Sequence, residues 1–343
     1  MSSDQPGLAT GKLSTGSLAK LLAALPPLPP EVLLGPAVGE DACALRVPPG
    51  VMVAATDPVT MTAEGVGRWS VVVNANDVAV SGARPRWFLA AILVPPGTPE
   101  TAVYELQVDI RDALVSIGAH LVGGHTEVTS AVTRPVVVGQ MLGLVEDGTI
   151  VTSAGASVGD AVVQVGPVPI EGAAVLALEA AGDLGRIDPS VIEAARAGLE
   201  RPGISVVEPA LLAKRLGATA LHDPTEGGLA AGLHEMARAA HVGIRVDREA
   251  VQWFEPGLAL CRSVGVDPWS TLASGSLLAA FHADSTAPAL AAFAARGYAA
   301  AAIGTVVAAS GVQGDDGCAI PWPDRDALDG VLYAEGLSRR GDR

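Results

Sequence analysis

Three acidic turns in the first part of the chain carry the strongest chemical signal. They read Gly39-Glu40-Asp41, Thr56-Asp57-Pro58 and Asn76-Asp77-Val78. Their aspartates lie 16 (57 − 41) and 20 (77 − 57) residues apart, each beside an apolar run predicted as strand or helix. Carboxylates from the ends of several elements are ligands that Mg²⁺ prefers. The spacing therefore predicts a metal site formed by Asp41, Asp57 and Asp77, although each aspartate taken singly is typical of an ordinary turn or cap.

Two further polar motifs could line a ligand site. His222-Asp223-Pro224-Thr225-Glu226-Gly227-Gly228 opens a helix predicted from Thr225, and Asp223 or Thr225 could cap it. A helix N-terminus presents free N–H groups to an anion. Gly123-Gly124-His125-Thr126-Glu127 follows a predicted strand and is interpreted as a ligand-facing turn. From spacing alone, a plain capped helix and a plain turn remain the commoner explanations.

Three short motifs resemble catalytic signatures but fail on their own chemistry. Gly7 to Leu13 is one residue too short for a P-loop, and a leucine stands where Ser or Thr must bind Mg²⁺. Gly155-Ala156-Ser157-Val158-Gly159 leads into a predicted strand, whereas a nucleophile elbow must lead into a helix. His234 to Arg238 lacks the second histidine of a zinc protease.

Composition excludes several classes of protein. The 343 residues predict two domains, and 49% of them are apolar. A net charge of −15 with only 3% aromatic residues argues against a nucleic-acid partner. Mean hydropathy is +0.39, but the apolar residues are spread along the chain, so no membrane span is predicted. Cys43, Cys261 and Cys318 are scattered and no signal peptide is visible, which predicts a cytoplasmic location.

Alternating strand-like and helical segments predict an α+β chain divided near residue 150. We expect an N-terminal extension over 1–34, a first domain over 35–150, a second domain over 151–337 and a loose tail over 338–343.

Taken in order, these motifs resemble the superfamily of aminoimidazole ribonucleotide synthetase, and in particular its carbamoyl dehydratase (HypE) branch. The resemblance runs from about Gly35 to Val307. The segments that carry it are Gly39-Glu40-Asp41-Ala42, Thr56-Asp57, Asn76 to Pro85, His222 to Leu229 and Ala302 to Val306.

The resemblance implies a two-domain PurM-like α+β fold. Its N-terminal domain has a mixed or antiparallel sheet with helices on one face, and its C-terminal domain is an α/β sandwich. It also implies a homodimer that uses ATP and Mg²⁺ to activate an oxygen of a small-molecule or carbamoyl-type acceptor by phosphoryl transfer. The resemblance implies that the domain over 35–150 binds ATP and Mg²⁺ and forms the dimer. The metal residues would be Asp41, Asp57 and Asp77. Those binding the nucleotide would also include Gly39, Glu40, Asn76, Gly124, His125 and Thr126, and the catalytic ones would be His222, Asp223, Thr225 and Glu127.

The sequence departs from that branch at three places. Glu127 stands where the branch has a lysine, and Gly275 stands where it has a glutamate. The branch carries its acceptor cysteine at the end of a C-terminal tail, whereas the last cysteine here, Cys318, lies 25 residues (343 − 318) before the last residue. Two alternatives therefore stay open, a thiamine-monophosphate-type kinase and a nucleotide-binding homologue without catalysis.

Overall fold

The chain divides into two compact units in a computed structural model. The first unit comprises Met1–Ala79 and Ala83–Ile150, and the second comprises Val80–Gly82 and Val151–Arg343. The structure describes residues 8, 11–12, 15–36, 43–59, 64–179 and 187–332. No helix in these ranges is long and apolar enough to cross a membrane.

The first unit is built on a mixed five-stranded sheet with the strand order β1-β6-β5-β7-β4. Only the β5–β6 pairing among these strands is parallel. The strands described in this unit are β1 (Gly11–Lys12), β2 (Val32–Leu34), β3 (Ala44–Leu45), β4 (Val51–Val59), β5 (Arg84–Val94), β6 (His120–Val128) and β7 (Val136–Val145). The helices are α1 (Thr15–Ala23), α2 (Val66–Val80) and α3 (Glu100–Ile117).

Local sequence explains why α3 forms where it does. Val103, Leu106, Ile110 and Leu114 are buried and recur every three or four residues, which gives the helix one apolar face. The helix ends at Gly118, which adopts the left-handed conformation (φ 71°) that glycine tolerates without strain. α3 therefore contributes a packed layer beside the sheet.

The second unit contains a six-stranded sheet with the order β13-β10-β12-β8-β11-β9. Its described strands are β8 (Ala161–Val165), β9 (Ala220–His222), β10 (Gly243–Val246), β11 (Leu277–Phe281), β12 (Ala300–Val307) and β13 (Gly311–Gly314). Its helices are α4 (Ile170–Glu179), α5 (Pro189–Ala197), α6 (Val207–Arg215), α7 (Gly228–Ala239), α8 (Glu255–Val264), α9 (Ala283–Ala294) and α10 (Asp329–Leu332). Leu229, Leu233 and Met236 of α7 share one buried cluster with Ile244 and Leu278 of the sheet.

The segment predicted as an N-terminal extension contributes to the first sheet. Gly11 and Lys12 pair with Val128 and Glu127, so β1 forms the edge of the sheet beside β6. A two-residue strand has too little apolar periodicity to be recognised from sequence, and its pairing with a distant strand defines it.

A buried asparagine joins α2 to the edge strand β4. The Asn74 side chain accepts the backbone N–H of Asp57 at 2.8 Å and donates to its carbonyl at 3.2 Å. Asn74 is fully buried. Gly139 on β7 lies beside Asp57 in the sheet, and a Cβ at position 139 would collide with the amide of Asn74 and with the Phe88 ring. The missing side chain of Gly139 therefore makes room for the contact between α2 and β4.

We predict that Gly139→Ala destabilises the protein by about 1–3 kcal/mol, because the added methyl group overpacks a buried contact. Urea unfolding should show a lower midpoint at unchanged slope. Gly330→Ala is the matched control, since a Cβ at position 330 would meet nothing within 4 Å. Equal midpoints for the two variants would contradict the role assigned to Gly139.

Candidate functional site

The contact between α2 and β4 brings two of the predicted metal residues together. Asp77 follows Asn74 by one helical turn and therefore lies on the same face of α2. Burial, the charge of Asp57 and a hydrogen bond between the two side chains raise the pKa of Asp77 to about 7, in that order of importance. A neighbouring carboxylate raises the pKa of a carboxyl group, and a bound cation lowers it. Asp57 and Asp77 thus form an acidic pair suited to a hard divalent ion.

All three residues of the first acidic motif, Gly39, Glu40 and Asp41, lie outside the described residues. Within the described ranges, no group of three or more His, Cys, Asp or Glu side chains could hold a metal ion. Asn76 is buried on α2, next to Asp77 in the chain. The described part of the site therefore offers two carboxylates, and Mg²⁺ commonly binds through one or two carboxylates with water or phosphate completing its shell.

The prediction of a turn at Gly123–Glu127 is wrong, because these residues lie inside β6. Gly124 has φ 149°, and a Cβ there would collide with the carbonyl oxygen of Ala90 on β5. The paired glycines therefore allow two parallel strands to approach closely. His125 and Glu127 are two residues apart and therefore lie on the same face of β6. Nε2 of His125 is 3.6 Å from Oε2 of Glu127, and both side chains are partly exposed.

The sheet register relates this strand to the acidic pair. Asp57, Gly139, Ala90 and Gly124 are consecutive partners across β4, β7, β5 and β6. Three strand spacings separate Asp57 from Gly124, or about 14 Å. The structure thus aligns the two motifs at one level of the sheet without bringing them into contact.

The helix predicted from Thr225 begins later and is capped differently. α7 starts at Gly228, and its N-cap residue Gly227 (φ 77°) has no side-chain cap bond. The predicted capping by Asp223 or Thr225 is therefore wrong. Instead, the Gly227 N–H donates to the Asp326 carboxylate at 2.8 Å. The Gly228 N–H donates to the Thr225 carbonyl at 3.0 Å. Two amides predicted to be free for an anion are thus already bonded.

Asp326 belongs to an acidic neighbourhood that sequence analysis missed. Burial raises its pKa to about 6, opposed by hydrogen bonds from Leu328 and Gly227. Glu171 on α4 has a pKa of about 7, raised first by burial, and the charges of Asp326 and Glu226 raise it further. A hydrogen bond with Ser274 opposes this shift. Glu171, Glu226 and Asp326 are 55 to 155 residues apart in the chain (226 − 171, 326 − 171), so no local motif could reveal them.

His222 lies at the end of β9 with both ring nitrogens engaged. Nδ1 is 3.1 Å from the hydroxyl of Ser153, and Nε2 is 2.8 Å from Oε2 of Glu235 on α7. Asp223 is buried next to it, whereas Thr225 is exposed. The predicted catalytic residues His222, Asp223 and Thr225 therefore differ in their exposure to solvent. Neither of the two partners of His222, Ser153 and Glu235, was predicted from sequence.

We predict that Glu171→Gln stabilises the protein above pH 7. The pKa of Glu171 is raised on folding, so its stabilising contribution is present at low pH and is lost as pH rises through about 7. The variant should exceed the wild type by about 2 kcal/mol at pH 8 and lose this advantage at pH 5. Thermal unfolding at both pH values measures the difference.

Glu235→Gln is the control of opposite sign. The hydrogen bond with His222 lowers the pKa of Glu235, so its carboxylate stabilises the folded state at neutral pH. This variant should gain no stability at pH 8. A Glu171→Gln variant whose stability followed that of the wild type at every pH would contradict the assignment.

Family comparisons agree with the motifs. Residues 39–145 match the N-terminal domain of AIR synthase related proteins, and residues 157–316 match the C-terminal domain of that family. The carbamoyl dehydratase HypE of Rhizobium leguminosarum bv. viciae is 30% identical over 284 residues, which cover 79% of this chain and 77% of the relative.

Solved structures show the same two-domain PurM-like fold. A hydrogenase maturation protein HypE in complex with ATP has a TM-score of 0.73 at 21% identity, covering 89% of this chain and 93% of the other. A thiamine-monophosphate kinase from Stenotrophomonas maltophilia K279a has a TM-score of 0.71 at 21% identity, covering 89% and 96%. The predicted α+β fold class is therefore confirmed. The chain belongs to the AIR synthase related family of enzymes and is a relative of the HypE carbamoyl dehydratases.

Proposed function

We propose that the protein is an ATP- and Mg²⁺-dependent enzyme that activates an oxygen atom of a carboxamide-type substrate by phosphoryl transfer. The observation that carries this proposal is the Asp57–Asp77 pair, in which Asn74 bonds the Asp57 backbone and burial and the charge of Asp57 raise the pKa of Asp77. A relative in this family has been solved with ATP. Phosphoryl transfer requires positioning and charge neutralisation more than covalent participation of the protein.

In this mechanism the chain positions a magnesium nucleotide through carboxylates. Bound Mg²⁺ would neutralise phosphate charge and align the transferred group. Asp57 and Asp77 supply two ligands, and Asp41 is proposed as the third. Asn74 keeps the pair at one separation because it bonds both backbone groups of Asp57. For the nucleotide we propose Gly39, Glu40, Asn76, Gly124, His125 and Thr126.

For the acceptor we propose contacts with the remaining predicted residues, Glu127, His222, Asp223 and Thr225. The carboxamide class follows from sequence kinship, because relatives reaching 30% identity are named carbamoyl dehydratase. The likeness to thiamine-monophosphate kinase rests on 21% identity and concerns the fold. Turnover of thiamine monophosphate by the purified protein would favour the kinase instead.

The central test is calorimetric binding of ATP with and without Mg²⁺. We expect metal-dependent binding by the wild type and at least a tenfold loss of affinity in Asp57→Asn, because one ligand charge is removed. Asp112→Asn is the control, an acidic residue on α3 whose carboxylate pairs with Arg111. It should bind like the wild type.

Two results would oppose the proposal. Wild-type binding that is indifferent to Mg²⁺ would remove the acidic pair from the nucleotide site. Binding without turnover of any carboxamide or phosphate acceptor would instead favour the alternative of a nucleotide-binding homologue.

We also propose that the enzyme is a cytoplasmic homodimer. The three cysteines are unpaired thiols, as a reducing compartment favours. β4 lies at the edge of its sheet and exposes the large apolar side chains Val51 and Met52. An apolar edge strand is a surface that a second copy can cover.

Met52→Asp should therefore shift the protein towards the monomer, because it places a charge in the proposed interface. Light scattering at several concentrations measures the mass. Leu33→Asp replaces another exposed apolar residue and serves as the control. A wild-type protein that is monomeric at all concentrations would refute the dimer.

A further inference from the structure

A hydroxyl, an imidazole and a carboxylate are connected in series in the second unit. The Ser153 hydroxyl lies 3.1 Å from Nδ1 of His222, and Nε2 of the same ring lies 2.8 Å from the Glu235 carboxylate. The groups come from the start of a short 3₁₀ turn, the end of β9 and the middle of α7. This is the order of nucleophile, base and orienting acid that activates a hydroxyl group.

The hydrogen-bond network determines which nitrogen of His222 can act as the base. A carboxylate only accepts hydrogen bonds, so Nε2 must carry the proton that binds Glu235. In the neutral ring, Nδ1 then has a free lone pair directed to the Ser153 hydroxyl. The hydrogen bond with His222 also lowers the pKa of Glu235, which keeps this group a carboxylate at neutral pH.

Two glycines fix the geometry of the three groups. A Cβ at Gly155 would collide with the carbonyl oxygen of Thr219, so this glycine lets the turn bearing Ser153 lie directly against the start of β9. A Cβ at Gly232 would come within 2.6 Å of Pro224 and 3.4 Å of the His222 ring. Gly232 therefore lets α7 approach closely enough for Glu235 to reach the imidazole.

Accessibility distinguishes this arrangement from a purely internal network. Glu235 has 46% of its side chain exposed, and His222 has 19%. Ser153 is also partly exposed, and its hydroxyl lies 3.1 Å from the Leu221 carbonyl oxygen, a second acceptor. A small electrophile can therefore meet the hydroxyl, and a proton taken up by the imidazole lies near solvent.

We propose that Ser153 is a nucleophile, activated by His222 and Glu235, that accepts a phosphoryl group from a reactive phosphoryl compound. Oγ of Ser153 attacks phosphorus, the bond from phosphorus to its leaving group breaks, and the hydroxyl proton passes to Nδ1. The resulting imidazolium ion is stabilised by the charge of Glu235. The sequence motif around Ser157 points to a different serine, whose backbone N–H is bonded to Asp160 at the start of the next strand.

A fluorophosphonate probe tests this proposal on the whole protein without nucleotide, so its outcome is independent of the proposed ATP reaction. Attack by Ser153 releases fluoride and leaves a stable phosphonyl ester that peptide mass spectrometry can locate. We expect labelling at Ser153, with at least a tenfold slower rate in His222→Gln and a smaller reduction in Glu235→Gln. Ser157→Ala is the matched control and should label at the wild-type rate.

Nitrogen-15 NMR of the histidine rings gives a second readout that does not need a variant. The proposal requires the Nε2–H tautomer of His222 in the neutral protein. The Nδ1–H tautomer would overturn it, and so would absence of probe from Ser153 in the wild type. Labelling of Ser153 at an unchanged rate in a folded Glu235→Gln variant and in a folded His222→Gln variant would also overturn it.

Discussion

The bidentate contact between the Asn74 side chain and the Asp57 backbone is the constraint on which the first unit's acidic site depends. The backbone N–H and C=O of Asp57, which have no further strand to pair with at this edge of the described sheet, are both hydrogen-bonded to the buried Asn74 amide. Leaving the buried Asn74 amide unpaired would cost about 1–3 kcal/mol for each unpaired group. The contact therefore holds α2 against β4 at one height, and Asp77 reaches Asp57 as a geometric consequence.

The sequence predicted the two aspartates but not the residue that positions them. Asp57 and Asp77 stand out because they are acidic residues within apolar segments, whereas Asn74 carries no charge and belongs to no motif. Its function depends on Gly139, 65 residues later (139 − 74), which leaves the space that its amide occupies. The space that Gly139 leaves for the Asn74 amide exists only once β7 has paired with β4.

Tertiary pairing also explains where local interpretation failed. The two glycines at 123 and 124 are typical of a turn, but Gly124 is a glycine because β5 and β6 approach too closely for a Cβ. At α7, Asp223 and Thr225 are good capping residues by type. The N–H of Gly227 at the start of this helix is instead bonded to the carboxylate of Asp326, which lies 99 residues later in the chain. The α+β class and the order of elements follow local patterns, whereas caps and close approaches follow from long-range packing.

The two units hold their acids in different electrostatic environments. Burial and the charge of the exposed Asp57 raise the pKa of the Asp77 carboxyl, so a cation could take the place of its proton without reordering the backbone. Asp326 already accepts hydrogen bonds from Gly227 and Leu328, and burial still raises its pKa. A cation there would have to compete with two backbone donors. Of the two acidic clusters, only the pair on β4 and α2 therefore has the lone pairs and the access that a metal–phosphate complex requires.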